Sequence, residues 1–250
     1  GVQRDSLLSP IFANRSDESE TGLRGDVVYK ISPSFEFSFG ASAKNIRFLS
    51  NLAIPGFVTP FGDTLRVRVN DYATRATKAA SYIQVSGHPL EHVTLTLGGR
   101  AEYFNLTDRK FSFAPRGSIG YEFSPLTSMT FSAGSYYQSP SYVWLVANPE
   151  NRSLNPIRAD QYILGIEHLL QADLKVRVEG FIKEYKDYPA STERTYLVLA
   201  NTGAGYGGSD ENFASFGLDH LVSGGKGRAY GIELLVQKKL LQVFLCHQGL

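Results

Sequence analysis

The first candidate for chemistry is a group of glycines near the C-terminus. Gly203, Gly205 and Gly208 have the G-x-G-x-x-G spacing that lets a backbone approach the pyrophosphate of a dinucleotide. That function requires a buried strand before the glycines and a helix after them, because the helix N-terminus binds the phosphates. Ser, Asp and Asn surround the glycines here, and no helix-length apolar pattern follows. The segment therefore favours an exposed loop.

Titratable residues offer no constellation typical of an enzyme. His88 and His92 are four apart, but they flank a proline-containing turn and cannot share a helix face as metal ligands would. A G-x-S-x-G nucleophile motif is absent from the sequence. Carboxylates alternate with basic residues in a way that favours salt bridges over a catalytic pair: the acids are Glu102, Glu122, Glu167, Glu179 and Glu233, and the bases are Arg100, Arg116, Lys175 and Arg177. We expect no catalytic residue, no metal and no cofactor.

Composition excludes several classes of protein. The 25 Lys and Arg balance the 24 Asp and Glu, so no basic surface for nucleic acid is expected. Cys246 is the single cysteine, which excludes an internal disulfide. No apolar run approaches the ~18 residues of a transmembrane helix. The N-terminal residues lack a signal-peptide pattern, and a strand begins just before the C-terminus, so we interpret the chain as an internal fragment.

The elements that carry these residues are predicted to be strands. From residue 174, Leu174, Val176 and Val178 alternate with charged residues, which is the period of a strand with one apolar face. About nine such segments occur: 23–31, 35–47, 75–87, 92–106, 113–123, 127–138, 159–169, one that starts at 174, and 227–237. Residues 1–22 are polar and without pattern, so we expect a loop there.

The connections alternate between short and long. Short turns lie at 32–34, 88–91, 124–126 and 171–173, and long polar segments lie at 49–74, 139–157 and 188–226. An outer-membrane β-barrel has short periplasmic turns, long extracellular loops and strands of about 10 residues with alternating hydrophobicity. In such a barrel the apolar face contacts lipid and the charged face lines the lumen.

Four aromatic residues mark the entry to the 139–157 segment, namely Tyr136, Tyr137, Tyr142 and Trp144. They are candidates for contact with a ligand, because aromatic rings stack on sugars and on other aromatic groups. The alternative is the interfacial girdle that Tyr and Trp form in membrane proteins. Three Asn-x-Ser/Thr sequons, at Asn14, Asn105 and Asn151, are interpreted as chance.

Several of these segments, taken in order, resemble one family. Residues 80–104, 115–125 and Thr130–Tyr142 resemble the mid-barrel of TonB-dependent outer-membrane receptors. Residues 151–167 are similar to that family's "Asn-Pro-x-Leu-x-Pro-Glu … Tyr-Glu-Leu-Gly" pattern, although Ile157-Arg158 and Ile163 stand where the family has Glu. The resemblance continues through 176–187 and 227–233, and it covers roughly residues 75–238.

The resemblance implies an all-β fold, an antiparallel transmembrane β-barrel in which this chain supplies about nine of roughly 22 strands. Residues 1–250 would then be a partial barrel domain in the bacterial outer membrane, with the plug domain absent from this chain. The implied function is energised uptake of a scarce ligand, such as an iron-siderophore, haem, cobalamin or a glycan. The implied partners are outer-membrane lipid, a TonB-type complex acting through the absent N-terminal part, and the small-molecule or glycan ligand.

Two alternatives stay open at this point. A passive porin or substrate-selective outer-membrane channel would have the same strand pattern without a plug. A soluble or surface all-β adhesin would have strands too, but it would have no reason to place its short connections at one end and its long ones at the other.

Overall fold

The computed structural model describes residues 2–4, 10–54, 57–58, 64–65, 68–193, 197–199 and 218–239. The glycine motif at 203–208, Cys246 and the sequon at Asn14 (for its side chain) lie outside the described residues.

The structure is dominated by one antiparallel sheet of ten strands, in the order β1-β2-β3-β6-β7-β8-β9-β10-β11-β12. A separate two-stranded sheet consists of β4 and β5. The strands are β1 (Val2–Arg4), β2 (Pro10–Ser32), β3 (Phe35–Ile54), β4 (Phe57–Val58), β5 (Thr64–Leu65), β6 (Arg68–Leu90), β7 (Val93–Phe104), β8 (Phe111–Ser124), β9 (Thr127–Gln138), β10 (Ile157–Gln171), β11 (Leu174–Ser191) and β12 (Leu221–Lys238). Among the described residues, β1 and β12 are the two edges of the sheet.

All nine predicted strands are confirmed, but several are longer than predicted. The expected loop at 1–22 is wrong for residues 10–22, which belong to β2 and pair with β3 from Ala13 opposite Ala53 onward. The error has a physical cause, because the residues around 15–22 are exposed along both faces. Such a strand shows no alternation of hydrophobicity, while its backbone still pairs with its neighbour.

The connections sort into two ends of the sheet. Two residues join the paired strands at 33–34, 91–92, 125–126 and 172–173, and we call this side the turn end. At the opposite loop end, the predicted loop 49–74 shrinks to 55–67, because β3 and β6 extend into it. The predicted loop 188–226 likewise begins only after Ser191 and ends before Leu221.

The two faces of the sheet differ in chemistry. On the face that we call outer, apolar side chains stand directly opposite one another from strand to strand. One such row contains Phe131, Leu164, Gly180 and Ile232, and the rows beside it are equally apolar. Phe131, Leu164 and Ile232 are 43%, 47% and 81% exposed, as expected for a surface that lipid covers. The opposite face, called inner, carries most of the charged side chains.

The buried side chains gather at the loop end, on the inner face. Ile46, Ala76 and Phe104 project from β3, β6 and β7 into this cluster. The segment between β9 and β10 covers them with α1 (Tyr142–Ala147) and a 3-10 helix (Pro149–Ser153). No helix in the described part of the chain is long and apolar enough to cross a membrane.

Candidate functional site

The candidate site is the inner face of the sheet near the loop end, together with the segment 139–156 that folds against it. In this segment α1 is only six residues long and almost wholly apolar. The 3-10 helix after it begins with Pro149, and the Asn148 side chain caps it by accepting a hydrogen bond from the Glu150 amide at 3.0 Å. A short apolar helix of this kind forms because it can bury its side chains on the sheet.

Tyr142 anchors α1 to the inner face. Its ring centroid lies 6.0 Å from those of Phe48 and Phe104, and 4.6 Å from the Lys78 ammonium. The same ammonium lies 4.7 Å from the Phe104 ring centroid, so one cation contacts two aromatic rings. Burial raises the pKa of the Tyr142 hydroxyl, and Glu20 and Glu18 raise it further. The hydroxyl is buried and has no partner among the described residues.

Asn151 holds the segment to the start of β12. Its side chain is fully buried, and its amide group donates to the carbonyls of Trp144 at 2.9 Å and of Asp219 at 3.0 Å. Its carbonyl accepts from the Leu221 amide at 2.8 Å. One side chain thereby pairs three backbone groups that burial would otherwise leave unsatisfied. The sequon interpretation of Asn151 as chance agrees with its full burial.

Three of the four basic residues that the sequence assigned to salt bridges form them on the inner face, whereas the Nε atom of Arg116 is buried without a hydrogen-bond partner among the described residues. Arg100 pairs with Glu102, Lys175 with Glu167, and Arg177 with Glu179. Further pairs that the sequence did not single out join Lys44 to Glu20 and Arg24 to Asp26. The inner face is therefore a polar wall in which both signs of charge alternate.

One glycine shapes this wall. Tyr82 crosses over Gly40 to donate its hydroxyl to the Asp26 carboxylate at 2.8 Å. A Cβ atom on Gly40 would come within 2.4 Å of that carboxylate and would overlap the Tyr82 ring. Beside this bridge a hollow of about 350 Å³ opens, whose polar lining includes Lys44 and Arg100. A second hollow of about 250 Å³ shares both side chains.

The structure separates the four aromatic residues that the sequence grouped. Tyr136 is 45% exposed on the inner face, where it lines a hollow of about 170 Å³ with Arg116 and Gln161. Tyr137 points to the other face, with its ring centroid 5.9 Å from the Arg158 guanidinium. Tyr142 and Trp144 are only 9% and 4% exposed.

Sequence reasoning did not identify Asn151, Lys78 or the inward fold of α1. Lys78 carried no signal in the sequence. The two aromatic rings that its ammonium contacts belong to β7 and α1, and hydrophobicity alternates around Lys78 in β6 as it does in the other strands. Asn151 carried no usable signal either, because its neighbours Glu150, Arg152 and Ser153 are as polar as those of an exposed loop.

Comparisons with known proteins identify the family to which this sheet belongs. Residues 3–244 match the model of the TonB dependent receptor-like β-barrel family. No protein with curated annotation matches the chain in sequence.

Solved structures share the fold at low sequence identity. The siderophore receptor PirA of Pseudomonas aeruginosa has a TM-score of 0.59 at 14% identity, with 88% of this chain and 37% of that structure covered. The FrpB iron transporter of Neisseria meningitidis has a TM-score of 0.61 at 14% identity, with 93% and 34% covered. The copper transporter OprC has a TM-score of 0.60 at 11% identity, with 95% and 37% covered.

The chain thus spans about a third of the length of these structures. The matched family, the lipid-facing outer rows and the polar inner wall agree with one another. This chain belongs to the TonB-dependent receptor family and forms part of its outer-membrane β-barrel.

Proposed function

We propose that the chain is the wall of a receptor that imports a scarce ligand across the outer membrane with energy from a TonB-type complex. The observation that carries this proposal is the segment 139–156, which folds inward and covers the loop end of a polar, charged inner face. A wall of this kind offers many polar contacts to a ligand that enters from outside. In this proposal, a plug domain of the full-length receptor would close and open the path.

The ligand class stays broad within this proposal. The solved structures are named as siderophore, iron and copper transporters, so the shared fold accommodates more than one cargo. The hollow beside Tyr82 contains both basic and acidic groups, and the hollow beside Tyr136 contains Arg116 among uncharged polar groups, which suits a polar ligand with aromatic or metal-chelating parts. We propose no enzymatic step, since the described residues of the wall present paired charges and no nucleophile with an adjacent base.

Among the four aromatic candidates, we propose Tyr136 as the one that contacts the ligand. It is the one whose ring is exposed on the inner face. Tyr142 and Trp144 would act indirectly, because they hold α1 against the wall. The neighbouring Tyr137 provides a matched control, since it has the same side chain on the opposite face.

The test is uptake by cells that express the full-length receptor. Radiolabelled ferric siderophores, haem, cyanocobalamin and glycans are supplied with and without a protonophore. Energised import predicts that uptake stops when the proton gradient is dissipated, and that Tyr136→Ala lowers uptake at least about fivefold while Tyr137→Ala leaves it within about twofold.

The alternative is passive diffusion through an open channel. In that case uptake persists with the protonophore, and the purified receptor conducts ions steadily in a planar bilayer. Either result would refute energised import. Equal effects of the two tyrosine substitutions would refute the assignment of Tyr136 alone.

A further inference from the structure

Arg116 occupies a central position on the inner face of the sheet. It projects from β8, where it stands opposite Gly98 on β7 and Gly134 on β9. Because both of these neighbours are glycines, neither adjacent strand places a side chain beside Arg116 at this level. The residue lies nearer the loop end of β8, at Phe111, than its turn end, at Ser124. Arg116 therefore belongs to the half of the wall that a ligand from outside reaches first.

Three other arginines of the inner face each pair with a carboxylate two residues later on the same strand. These pairs are Arg24 with Asp26 at 2.7 Å, Arg100 with Glu102 at 2.5 Å and Arg177 with Glu179 at 2.5 Å. The pattern arises because residues i and i+2 of a strand project from the same face. In β8 the residue two positions after Arg116 is Ser118, so Arg116 lacks the partner that the other three arginines have.

No described residue replaces the missing carboxylate. The Nε atom of Arg116 is buried, and it has no hydrogen-bond partner in the described part of the chain. A buried donor without a partner destabilises a protein, so its retention points to a partner that this part of the chain does not supply. A guanidinium is always charged and has five N–H donors in a planar fork, which matches the two oxygens of a carboxylate.

The sequence also departs from the family pattern beside Arg116. Ile163 stands where that pattern has Glu, and it lines the same hollow as Arg116. Ile163 lies on β10 opposite Ser132, which in turn stands opposite Ser118 on β8. A glutamate at this position would place its carboxylate in the hollow, whereas isoleucine adds no charge. In this chain the positive charge of Arg116 is therefore left open.

The hollow around Arg116 has the size and the polar groups to receive an anion. Its volume of about 170 Å³ is several times the roughly 30 Å³ that one water molecule occupies in the liquid. The Gln161 amide and the hydroxyls of Ser118 and Ser132 line it, and each of these groups can donate a hydrogen bond to an anion. The half-exposed ring of Tyr136 lies beside them. The hollow thus combines one free cation, neutral donors and an aromatic surface.

We propose that Arg116 binds a free carboxylate of the imported ligand, an inference that rests on the function proposed above. The Nε–H and one Nη–H donate to the two carboxylate oxygens, which is the bidentate geometry of arginine–carboxylate pairs. The ligand therefore belongs to the carboxylate-bearing members of the classes considered, and neutral glycans and carboxylate-free siderophores are poor ligands. The position of Arg116 toward the loop end, beside the exposed Tyr136 ring, favours a ligand over an acidic side chain of the receptor itself.

The measurement is the rate at which phenylglyoxal, a reagent that condenses with guanidinium groups, modifies Arg116 in the purified full-length receptor. Peptide mass spectrometry locates the modified arginines, and Arg177, which is paired with Glu179, serves as the internal reference. Three pairs of compounds are supplied as protecting ligands: haem and its dimethyl ester, ferric citrate and ferrichrome, and an oligogalacturonate and its methyl ester. Only the first member of each pair carries free carboxylates. Inorganic phosphate is tested in parallel.

We expect at least one of the three acids to slow the modification of Arg116 about tenfold, while its uncharged counterpart and phosphate slow it less than about twofold. Ile163 offers a matched pair of substitutions. Ile163→Glu supplies a carboxylate inside the hollow, so Arg116 should react about tenfold more slowly even without a ligand. Ile163→Gln has the same length without the charge and should leave the rate within about twofold of wild type. Heat-modifiable migration on gels verifies that both variants are folded.

Four outcomes would overturn the proposal. Wild-type Arg116 that reacts as slowly as Arg177 without any ligand would mean that another part of the receptor supplies the carboxylate. Protection by none of the acids would mean that Arg116 is not a binding site, and equal protection by an uncharged counterpart or by phosphate would mean that it does not select carboxylates. Equal reactivity of Arg116 in the two Ile163 variants would refute the geometry of the hollow. The readout needs no proton gradient, so this site and energised import can fail independently.

Discussion

Replacement of Asn151 by alanine should release the segment 139–156 from the wall while the barrel itself stays assembled. The substitution removes the partners of two buried carbonyls, on Trp144 and Asp219, and of the buried Leu221 amide. An unsatisfied buried group costs about 1–3 kcal/mol, so three of them should cost about 3–5 kcal/mol once local relaxation is allowed for. The strand pairing of β9 to β12 does not depend on this side chain.

Hydrogen exchange followed by mass spectrometry in the full-length receptor measures this local opening. Because about 1.4 kcal/mol corresponds to a factor of ten, exchange at Leu221 and through α1 should accelerate at least about a hundredfold in Asn151→Ala. Asn148→Ala is the control, since it removes one hydrogen bond, from Glu150, at a half-buried position. It should cost about 1 kcal/mol, or roughly fivefold in exchange.

The reasoning would be refuted by exchange at Leu221 that stays within about fivefold of the wild type. It would also be refuted if Asn148→Ala opened the segment as far as Asn151→Ala does. A loss of heat-modifiable migration in Asn151→Ala would contradict the separation between the segment and the barrel.

Two further predictions concern the faces of the sheet and the loop end. Val178→Arg should impair assembly more than Val176→Arg, and both should impair it more than Arg177→Val, because Arg on the lipid face costs about 2–4 kcal/mol at mid-depth and less near the interface. Heat-modifiable gel migration measures the folded fraction of each variant. Equal assembly defects in the three variants would refute the assignment of faces. Tyr142→Phe should leave the protease sensitivity of α1 unchanged, since the Tyr142 hydroxyl has no partner among the described residues. Tyr142→Ala should leave a cavity that destabilises the packing of α1 by about 3 kcal/mol, and limited proteolysis should then cleave the helix.

The strands could be predicted wherever one face meets lipid. In β10 and β11, Ile166, Val176 and Val178 alternate with charged or small residues because lipid and water lie on opposite sides of the sheet. The same strands lose this pattern beyond the apolar rows, where water reaches both faces. For that reason the sequence predicts a loop over the first half of β2, ends β3 at residue 47 where the structure has Ile54, and begins β6 at residue 75 where the structure has Arg68.

The candidate site was less predictable, since its contacts join distant parts of the chain. Asn151 and Leu221 are 70 residues apart, and neither shows a local pattern that points to the other. The helix α1 is six residues long, too short for a helical period to appear in the sequence. The aromatic cluster was visible, but its separation into exposed and buried rings follows from the fold of α1.

The unequal strand lengths give the rim of this wall a slope. β2 and β6 each have 23 residues, roughly 75 Å along the strand, whereas β7 and β9 have 12, roughly 40 Å. All of these strands start from the same line of short turns. The long strands therefore extend roughly 35 Å further toward the loop end than the short ones, and the edge of the sheet slopes. A macromolecule that contacts the loop end of this sheet therefore meets β2, β3 and β6 before it reaches β7 and β9.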